Sequence, residues 1–115
     1  MADQDCIFCK IGRREVEAEL LYSDEQLFVV RDIRPKAPTH LLLIPFRHLT
    51  SLAYVNPNLE AAMGHFFLVA EEMARREGIT RSGYRLIMNQ GPDSGQELPH
   101  FHMHLLGGKR LGALG

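Results

Sequence analysis

Apolar residues occur along the chain in short runs whose spacing predicts several strands and two helical segments. Residues 6–11 are typical of a short helical turn. Residues 17–23 and 26–31 are apolar-rich and flank a polar turn, which predicts a β-hairpin. Residues 40–45 form a continuous apolar run, which predicts a buried strand.

A long helix is predicted in the middle of the chain. Asn56 is a favourable N-cap, Pro57 suits the first helical position, and Gly78 suits the C-terminal end. The apolar residues between them recur at steps of three and four and define one face. They are Leu59, Ala62, Met63, Phe66, Ala70, Met73 and Ala74.

The last third of the chain is predicted to add two more strands. Residues 83–89 and 100–106 have strand character, and residues 90–99 form a polar, glycine-containing loop between them. Strands on both sides of one long helix predict an α+β domain with an antiparallel sheet.

Composition limits the class of protein. A chain of 115 residues fits one domain, residues 1–115, and its net charge of -1 gives no basis for a nucleic-acid partner or an anionic membrane surface. It contains no apolar stretch long enough for a membrane span, and its acidic start does not resemble a signal peptide. With only two cysteines and no disulfide framework, we expect a cytoplasmic protein.

Three histidines, His100, His102 and His104, alternate with apolar residues. Alternate side chains of a strand point to one side, about 6.5–7 Å apart, so the three imidazoles are predicted to share an exposed face while Phe101 and Met103 point to the core. Composition alone rarely produces such an alternation. Two interpretations stay open: a metal site, or phosphoryl chemistry in which a neutral imidazole attacks phosphorus.

The segment His-Phe-His-Met-His-Leu-Leu matches the pattern His-φ-His-φ-His-φ-φ of the histidine-triad (HIT) superfamily, and the whole chain resembles that superfamily. Other matching motifs follow in order: Cys6-Ile7-Phe8-Cys9-Lys10-Ile11, Asp32-Ile33-Arg34-Pro35, Ala37-Pro38-Thr39-His40, Ile44-Pro45, Arg47-His48, Asn89-Gln90-Gly91 and Gly95-Gln96-Glu97. Leu106-Gly107-Gly108 resembles the nucleotide-binding branch, and the cysteine pair resembles its bacterial members.

The resemblance implies a fold and an assembly. Its fold is a five-stranded antiparallel sheet with one short and one long helix. Two copies pair into a homodimer in which the sheet is continuous, and residues 59–74 would supply the helical part of the interface. The apolar helix face is equally compatible with the core of a monomer.

The resemblance also implies catalytic roles for the triad. His102 would attack the α-phosphate, the carbonyl of His100 would fix the tautomer of His102, and His104 would contact the phosphate and the leaving group. No catalytic metal is expected, because fixed N–H dipoles can stabilise the transition state instead.

The remaining motifs imply contacts to the nucleotide. Asp32 would accept hydrogen bonds from the ribose hydroxyls. Apolar residues would form a slot for the base, and the loop before the triad would contact the phosphate. The base-slot residues are Phe8 and Ile33, and the loop residues are Asn89, Gly95 and Gln96. Glu97 replaces the serine of animal members, so we predict a preference for basic or amine leaving groups.

Cys6 and Cys9 form half of a four-ligand site. In some bacterial members His48 and His100 complete it with structural Zn²⁺, and both histidines are present here. The alternative is a pair of thiols without metal or a redox pair. His40 and His65 belong to no comparable ligand set, and His65 is expected at the surface or an interface.

The function that follows from the resemblance is hydrolysis of purine nucleoside phosphoramidates through a covalent histidine–nucleotidyl intermediate. The partners are then purine nucleoside monophosphate derivatives. Three alternatives remain: a dinucleoside polyphosphate hydrolase, a nucleotide-binding regulatory module, and an enzyme with catalytic zinc at the triad.

Overall fold

The structure is a computed structural model that describes residues 5–115. Residues 1–4, which hold most of the acidic start and begin the predicted domain 1–115, lie outside the described residues. The regular elements in chain order are α1 (Ile7–Gly12), β1 (Leu20–Ser23), β2 (Leu27–Arg31), β3 (Thr39–Pro45), α2 (Glu60–Arg76), β4 (Tyr84–Ile87) and β5 (Met103–Gly107). Short 3₁₀ turns occur at Leu52–Tyr54, Pro57–Leu59 and Pro92–Ser94.

The five strands form one antiparallel sheet in the order β1-β2-β3-β5-β4. The predicted hairpin is confirmed as β1 and β2, with shorter strands than predicted. The predicted buried strand is also confirmed as β3, in which every residue is buried. The sheet and the two helices confirm the α+β class.

The long helix is confirmed, but it begins later than predicted. Asn56 accepts a hydrogen bond from the N–H of Asn58 and so caps a 3₁₀ turn, after which α2 begins at Glu60. Gly78 ends the helix with φ of +73°, a conformation that glycine adopts without a steric penalty. Val69 is buried on the apolar face although the spacing did not include it.

The two faces of the sheet pack into separate cores. The face toward α2 contains the larger core, which includes Phe66, Met73 and Leu105. The opposite face has a smaller core of Phe8, Phe28, Val30, Leu42 and Ile44, in which α1 supplies Phe8. Within residues 5–115, every helix is too short or too polar to span a bilayer.

The final strand begins three residues later than predicted, at Met103. Met103 pairs with Leu43, so Phe101 would face Pro45 if the ladder continued. Pro45 has no N–H to donate, and the N–H of Phe101 bonds instead to the carbonyl of Leu49 at 2.6 Å. His100 therefore lies in a bend, where its N–H bonds to the carbonyl of Leu98, and His102 lies in the irregular segment that leads into β5.

Candidate active site and metal centre

The three histidines share one side of the chain, as the alternation predicted. Phe101 and Met103 point into the larger core, while the rings of His102 and His104 lie 5.0 Å apart on the opposite face. The prediction that this face is exposed is wrong, because α1 packs over it. His102 is only 8% exposed, with the ring of Phe8 4.9 Å from its own.

His102 has a fixed hydrogen-bond direction. Its Nδ1 lies 2.7 Å from the backbone carbonyl oxygen of His100, which only accepts hydrogen bonds. Nδ1 of His102 must therefore carry the hydrogen. A neutral imidazole has one N–H, so Nε2 of His102 keeps its lone pair, as the expected role of a nucleophile requires.

His104 has the opposite arrangement. The backbone N–H of Lys36 donates to Nδ1 of His40 at 3.0 Å, so a neutral His40 carries its hydrogen on Nε2. That Nε2 lies 2.9 Å from Nδ1 of His104 and donates to it. His104 then carries its own hydrogen on Nε2 and presents a donor where His102 presents a lone pair.

His40 was not predicted as a site residue, although the sequence holds it within a matched motif. It is 4% exposed and lies on β3, next to the strand that carries His104. Its neighbour Leu42 pairs with His104, so the alternation of β3 places His40 on the triad face. The register of β3 and β5 was the missing information. His65 is half-buried on α2 and lies 2.6 Å from a carboxylate oxygen of Asp24.

Asp32, His40 and His104 place possible metal-ligand atoms close together. One oxygen of Asp32 accepts the N–H of Arg34 at 2.8 Å, and the other lies 3.4 Å from Nε2 of His40. A cation at this group needs a bare Nε2 on His40, but the Lys36 N–H leaves the hydrogen there. The group suits a chain of hydrogen bonds better than a metal ion.

Burial keeps His100 and His104 neutral. Desolvation, with a smaller effect from His102 and His40, lowers the pKa of His104 to about 4. Desolvation also lowers the pKa of His100 to about 4, against the hydrogen bond to Pro45, which raises it. The pKa of His40 is lowered by burial, although the Asp32 carboxylate raises it. Neutral imidazoles make the hydrogen-bond directions above well defined at neutral pH.

The loop before the triad is organised by its own amide side chains. Asn89 donates from Nδ2 to the carbonyl of Ser94 at 2.6 Å. Gln96 accepts the N–H of Gly91 at 2.8 Å and donates to the carbonyl of Leu98 at 3.0 Å. Gly95 adopts φ of +81°, which favours glycine. The side chain of Gln96 therefore shapes the loop.

The residues predicted for the base slot differ in exposure. Phe8 is 4% exposed and packs against the rings of His100 and His102. Ile33, which follows Asp32, is 88% exposed. Ile33 is therefore available to a ligand, whereas Phe8 in this structure covers the triad. Glu97 is exposed on the loop after Gln96.

The four predicted metal ligands come together beside the triad. Nδ1 of His100 lies 3.2 Å from Sγ of Cys6 and 3.6 Å from Sγ of Cys9. Nδ1 of His48 lies 3.2 Å from Sγ of Cys9 and 3.0 Å from Nδ1 of His100. The ligand atoms of these four residues all lie within 4.8 Å of one another.

This group fits a tetrahedral metal ion. Bonds of about 2.0–2.3 Å to nitrogen and sulfur imply distances between ligand atoms of about 3.3–3.8 Å, close to those present. Nε2 of His100 lies 2.9 Å from the carbonyl oxygen of Pro45, so its hydrogen resides there and Nδ1 is bare for a metal. Burial raises the pKa of the Cys6 thiol, and a bound cation would favour the thiolate. Two thiols and two imidazoles are a donor set typical of zinc.

Comparisons with known proteins identify the family of the chain. The HIT domain matches residues 13–111. The chain is 45% identical to "Purine nucleoside phosphoramidase" of Escherichia coli (strain K12) over 111 residues, 96% of this chain and 93% of that protein. A histidine triad protein from Clostridium difficile has a TM-score of 0.94 and 36% identity over 100% of both chains. A zinc-bound histidine triad family protein from Mycobacterium smegmatis has a TM-score of 0.76 and 30% identity, covering 89% of this chain and 73% of that chain. The chain belongs to the HIT-domain family.

Proposed function

We propose that the chain is a purine nucleoside phosphoramidase, a hydrolase that cleaves the P–N bond of nucleoside 5′-phosphoramidates. The observation that carries the proposal is the opposite polarity of two neighbouring imidazoles: His102 presents a lone pair and His104 presents an N–H. A nucleophile beside a hydrogen-bond donor that stabilises the charge on the phosphate oxygens is the pair that such a displacement needs. The phosphoramidase of E. coli, at 45% identity, supports the same reaction.

In the first half of the reaction, Nε2 of His102 attacks the α-phosphorus. A bond forms between that nitrogen and phosphorus, and the bond from phosphorus to the amine breaks. The departing nitrogen takes up a proton from solvent and leaves as a neutral amine, while the Nε2–H of His104 stays on the ring and donates a hydrogen bond to a phosphate oxygen. The Nδ1–H of His102 stays bonded to the His100 carbonyl, 2.7 Å away, which stabilises the positive charge that the ring acquires.

In the second half, water attacks the phosphorus and the bond to His102 breaks. The water gives one proton to solvent, and the nucleoside monophosphate is released. A positively charged imidazole leaves more readily than a neutral one would. The carbonyl of His100 therefore serves both halves, because it orients the nucleophile and stabilises the cationic intermediate.

We assign the nucleotide contacts to residues around this pair. Asp32 is half-buried beside His40, and each of its oxygens has lone pairs for a ribose hydroxyl. The exposed Ile33 provides apolar surface for a base, whereas Phe8 is buried against the triad and would have to move to contact one. The amide of Asn89 and the backbone N–H groups of the loop would contact phosphate oxygens. The loop donors belong to Gly95, Gln96 and Glu97.

We assign structural Zn²⁺ to the cluster of Cys6, Cys9, His48 and His100. Zinc would act there as a cross-link between α1 and the segment before β5, outside the reaction itself. The zinc-bound relative from M. smegmatis supports this metal. Thiolate ligands need reducing conditions, so the site also supports a cytoplasmic location.

We also assign a homodimer. Phe67 and Leu68 on α2 are 58% and 71% exposed, and Gly64 lies one turn before them. A side-chain carbon at Gly64 would meet nothing within 4 Å. Large exposed apolar residues next to a glycine suit the close approach of a second helix, so a second copy of this chain is the partner that the face fits.

The test is hydrolysis of adenosine 5′-phosphoramidate. The wild type is expected to release ammonia and adenosine monophosphate in equal amounts. His102→Ala is expected to lose about four orders of magnitude in kcat, because the covalent step is lost. His65→Ala, which removes a histidine outside the site, is the matched control and should keep its activity. Rapid acid quench should trap the wild-type chain carrying one adenylyl group.

Two results would contradict the proposal. One is an active His102→Ala variant. The other is a wild type that leaves the phosphoramidate intact but cleaves diadenosine polyphosphate, which would favour the dinucleoside polyphosphate hydrolase. A wild type that binds the nucleotide without cleaving either compound would favour the regulatory module.

A further inference from the structure

His100 belongs to both the metal cluster and the nucleophile. Its Nδ1 lies 3.0–3.2 Å from ligand atoms of His48 and Cys6, while its backbone carbonyl accepts the hydrogen bond from His102 at 2.7 Å. Its ring is fully buried, and its Nε2 is held by the Pro45 carbonyl. Both ring nitrogens and the backbone N–H of His100 have partners, the N–H bonding to the carbonyl of Leu98 at 2.9 Å. Together these contacts restrict the direction of the His100 carbonyl, and the ring of His102 follows it.

A second connection runs through α1. Cys9, a ligand of the cluster, directly follows Phe8, whose ring lies 4.9 Å from that of His102. This helix has only six residues, and Cys6 at its N-cap position makes no side-chain capping hydrogen bond. A helix of this length is not stable alone. Its buried residues are Phe8 and Cys9, so its position depends on these two side chains.

Without a bound ion, the four side chains of the cluster are held to one another by weak and exchangeable hydrogen bonds. Nδ1 of His100 is bare, so the thiol of Cys6, the thiol of Cys9 or the ring of His48 must donate to it. A thiol is a weak hydrogen-bond donor, and two rings and two thiols can exchange partners. A cation bound to all four atoms leaves one arrangement.

We propose that metal binding at this cluster positions His102 for attack, so that metal occupancy sets the rate at a phosphorus atom that the metal does not touch. His100 is then a positioning residue, acting through its carbonyl, and Phe8 holds the other side of the nucleophile. The proposal rests on the proposed phosphoramidase activity for its kinetic part alone.

The experiment compares the same protein loaded with Zn²⁺, treated with a chelator and reloaded. Zinc is counted by atomic absorption. The adenylylation rate is measured in a single turnover of adenosine 5′-phosphoramidate, and exchange of the Nδ1–H of His102 with solvent is measured by NMR. We expect one zinc ion per chain. Its removal should slow adenylylation about 10- to 100-fold and speed the exchange, and reloading should restore both.

Glu77→Gln is the matched control for a general loss of stability. It breaks an ion pair with Arg31 and a hydrogen bond with Thr39, neither of which is a ligand of the cluster or a triad histidine. It should lower the melting temperature without changing either readout. If the chelated chain unfolds, Cys6→Ser, which keeps three of the four ligands, is titrated with Zn²⁺ and the same readouts are compared at low and high occupancy.

The outcomes separate the two proposals. Zinc removal that lowers only the melting temperature overturns the inference, as does a chain that binds no zinc. Zinc-dependent exchange at His102 in a protein that cleaves no phosphoramidate supports the positioning role and contradicts the proposed function. Cleavage at the same rate with and without zinc supports the proposed function and contradicts the positioning role.

Discussion

Nε2 of His40 lies 2.9 Å from Nδ1 of His104, and this contact joins the two central strands of the sheet through buried imidazoles. It determines which nitrogen of His104 carries the hydrogen. We predict that His40→Asn lowers kcat/KM about 10- to 100-fold, equivalent to one lost buried hydrogen bond of ~1.4–2.7 kcal/mol. Steady-state kinetics on adenosine 5′-phosphoramidate measure the loss.

His40→Gln is the matched control for that variant. The amide nitrogen of glutamine occupies the place of the histidine Nε2, whereas that of asparagine occupies the place of Nδ1. Glutamine should therefore keep the donor to His104 and retain most of the activity. Equal losses in both variants would show that His40 acts through packing alone.

The pH dependence of stability follows from the same burial. The pKa of His104 is about 4 in the folded chain, against 6.5 for an ordinary histidine. Between pH 6.5 and 4, His104 is protonated in the unfolded chain but stays neutral in the folded chain. The free energy of unfolding should therefore fall as the pH drops from 6.5 toward 4. Urea denaturation at several pH values, at constant metal content, measures the slope.

His104→Asn removes this titrating group and should make that slope less steep, with the contribution of His100 remaining. The variant is compared with the wild type over the same pH range and in the same buffer series. An identical slope in the two proteins would mean that burial of His104 has no part in the pH dependence.

Much of this fold follows from local patterns. The apolar run of β3 and the glycine that ends α2 are strong signals, because a buried strand and a left-handed C-terminal cap restrict the residue types they accept. Neither the late start of β5 nor the role of His40 has a local signal. Both depend on the register of β3 and β5, which sets Pro45 opposite Phe101 and Leu42 opposite His104.

The packing of α1 over the triad could not be predicted from the sequence for a different reason. The helix α1 is six residues long, and its propensity and periodicity say little about where it packs. The four metal ligands, by contrast, were predicted together because the resemblance supplied the ligand set. Their geometry adds what a motif does not show, namely that His100 contacts both the cluster and the nucleophile.

An ion pair ties the end of α2 to the sheet. Arg31 donates from its two terminal nitrogens to both oxygens of Glu77, at 2.9 and 3.0 Å, and the Thr39 hydroxyl donates at 3.2 Å. We predict that Glu77→Gln lowers the free energy of unfolding by about 1–2 kcal/mol, because a bidentate, half-buried pair is lost. Glu72→Gln removes exposed helical pairs with Arg75 and Arg76 and should cost no more than about 0.5 kcal/mol.

Urea unfolding of the two variants and the wild type tests the difference. Since both changes replace one carboxylate by an amide, the change in net charge is the same. Equal losses of stability would contradict a special contribution from the Arg31 pair.

The exposed face of α2 gives a prediction about assembly. Leu68→Glu places a carboxylate where a second copy would pack and should convert a dimer into a folded monomer. Light scattering after size exclusion measures the mass, and circular dichroism checks the fold. Val16→Glu is the control, since Val16 is an apolar residue 38% exposed outside α2. A dimer that survives Leu68→Glu but not Val16→Glu would place the interface elsewhere.

Glu97 gives a prediction about the leaving group. It is exposed next to Gln96, whose side chain fixes the loop, so its carboxylate can change without reshaping the phosphate contacts. A carboxylate attracts a cationic leaving group and repels an anionic one. The measurement compares kcat/KM for two phosphoramidates, one whose leaving amine carries an ammonium group and one whose leaving amine carries a carboxylate. We predict that Glu97→Ser and Glu97→Gln lower the ratio of the first kcat/KM to the second by about 3- to 10-fold at low salt.

Glutamine at position 97 keeps the size of the side chain and loses the charge, so an effect confined to serine would point to shape instead. If the ratio is unchanged in both variants, Glu97 does not select the leaving group. If it falls in both and the difference fades at high salt, the selection is electrostatic.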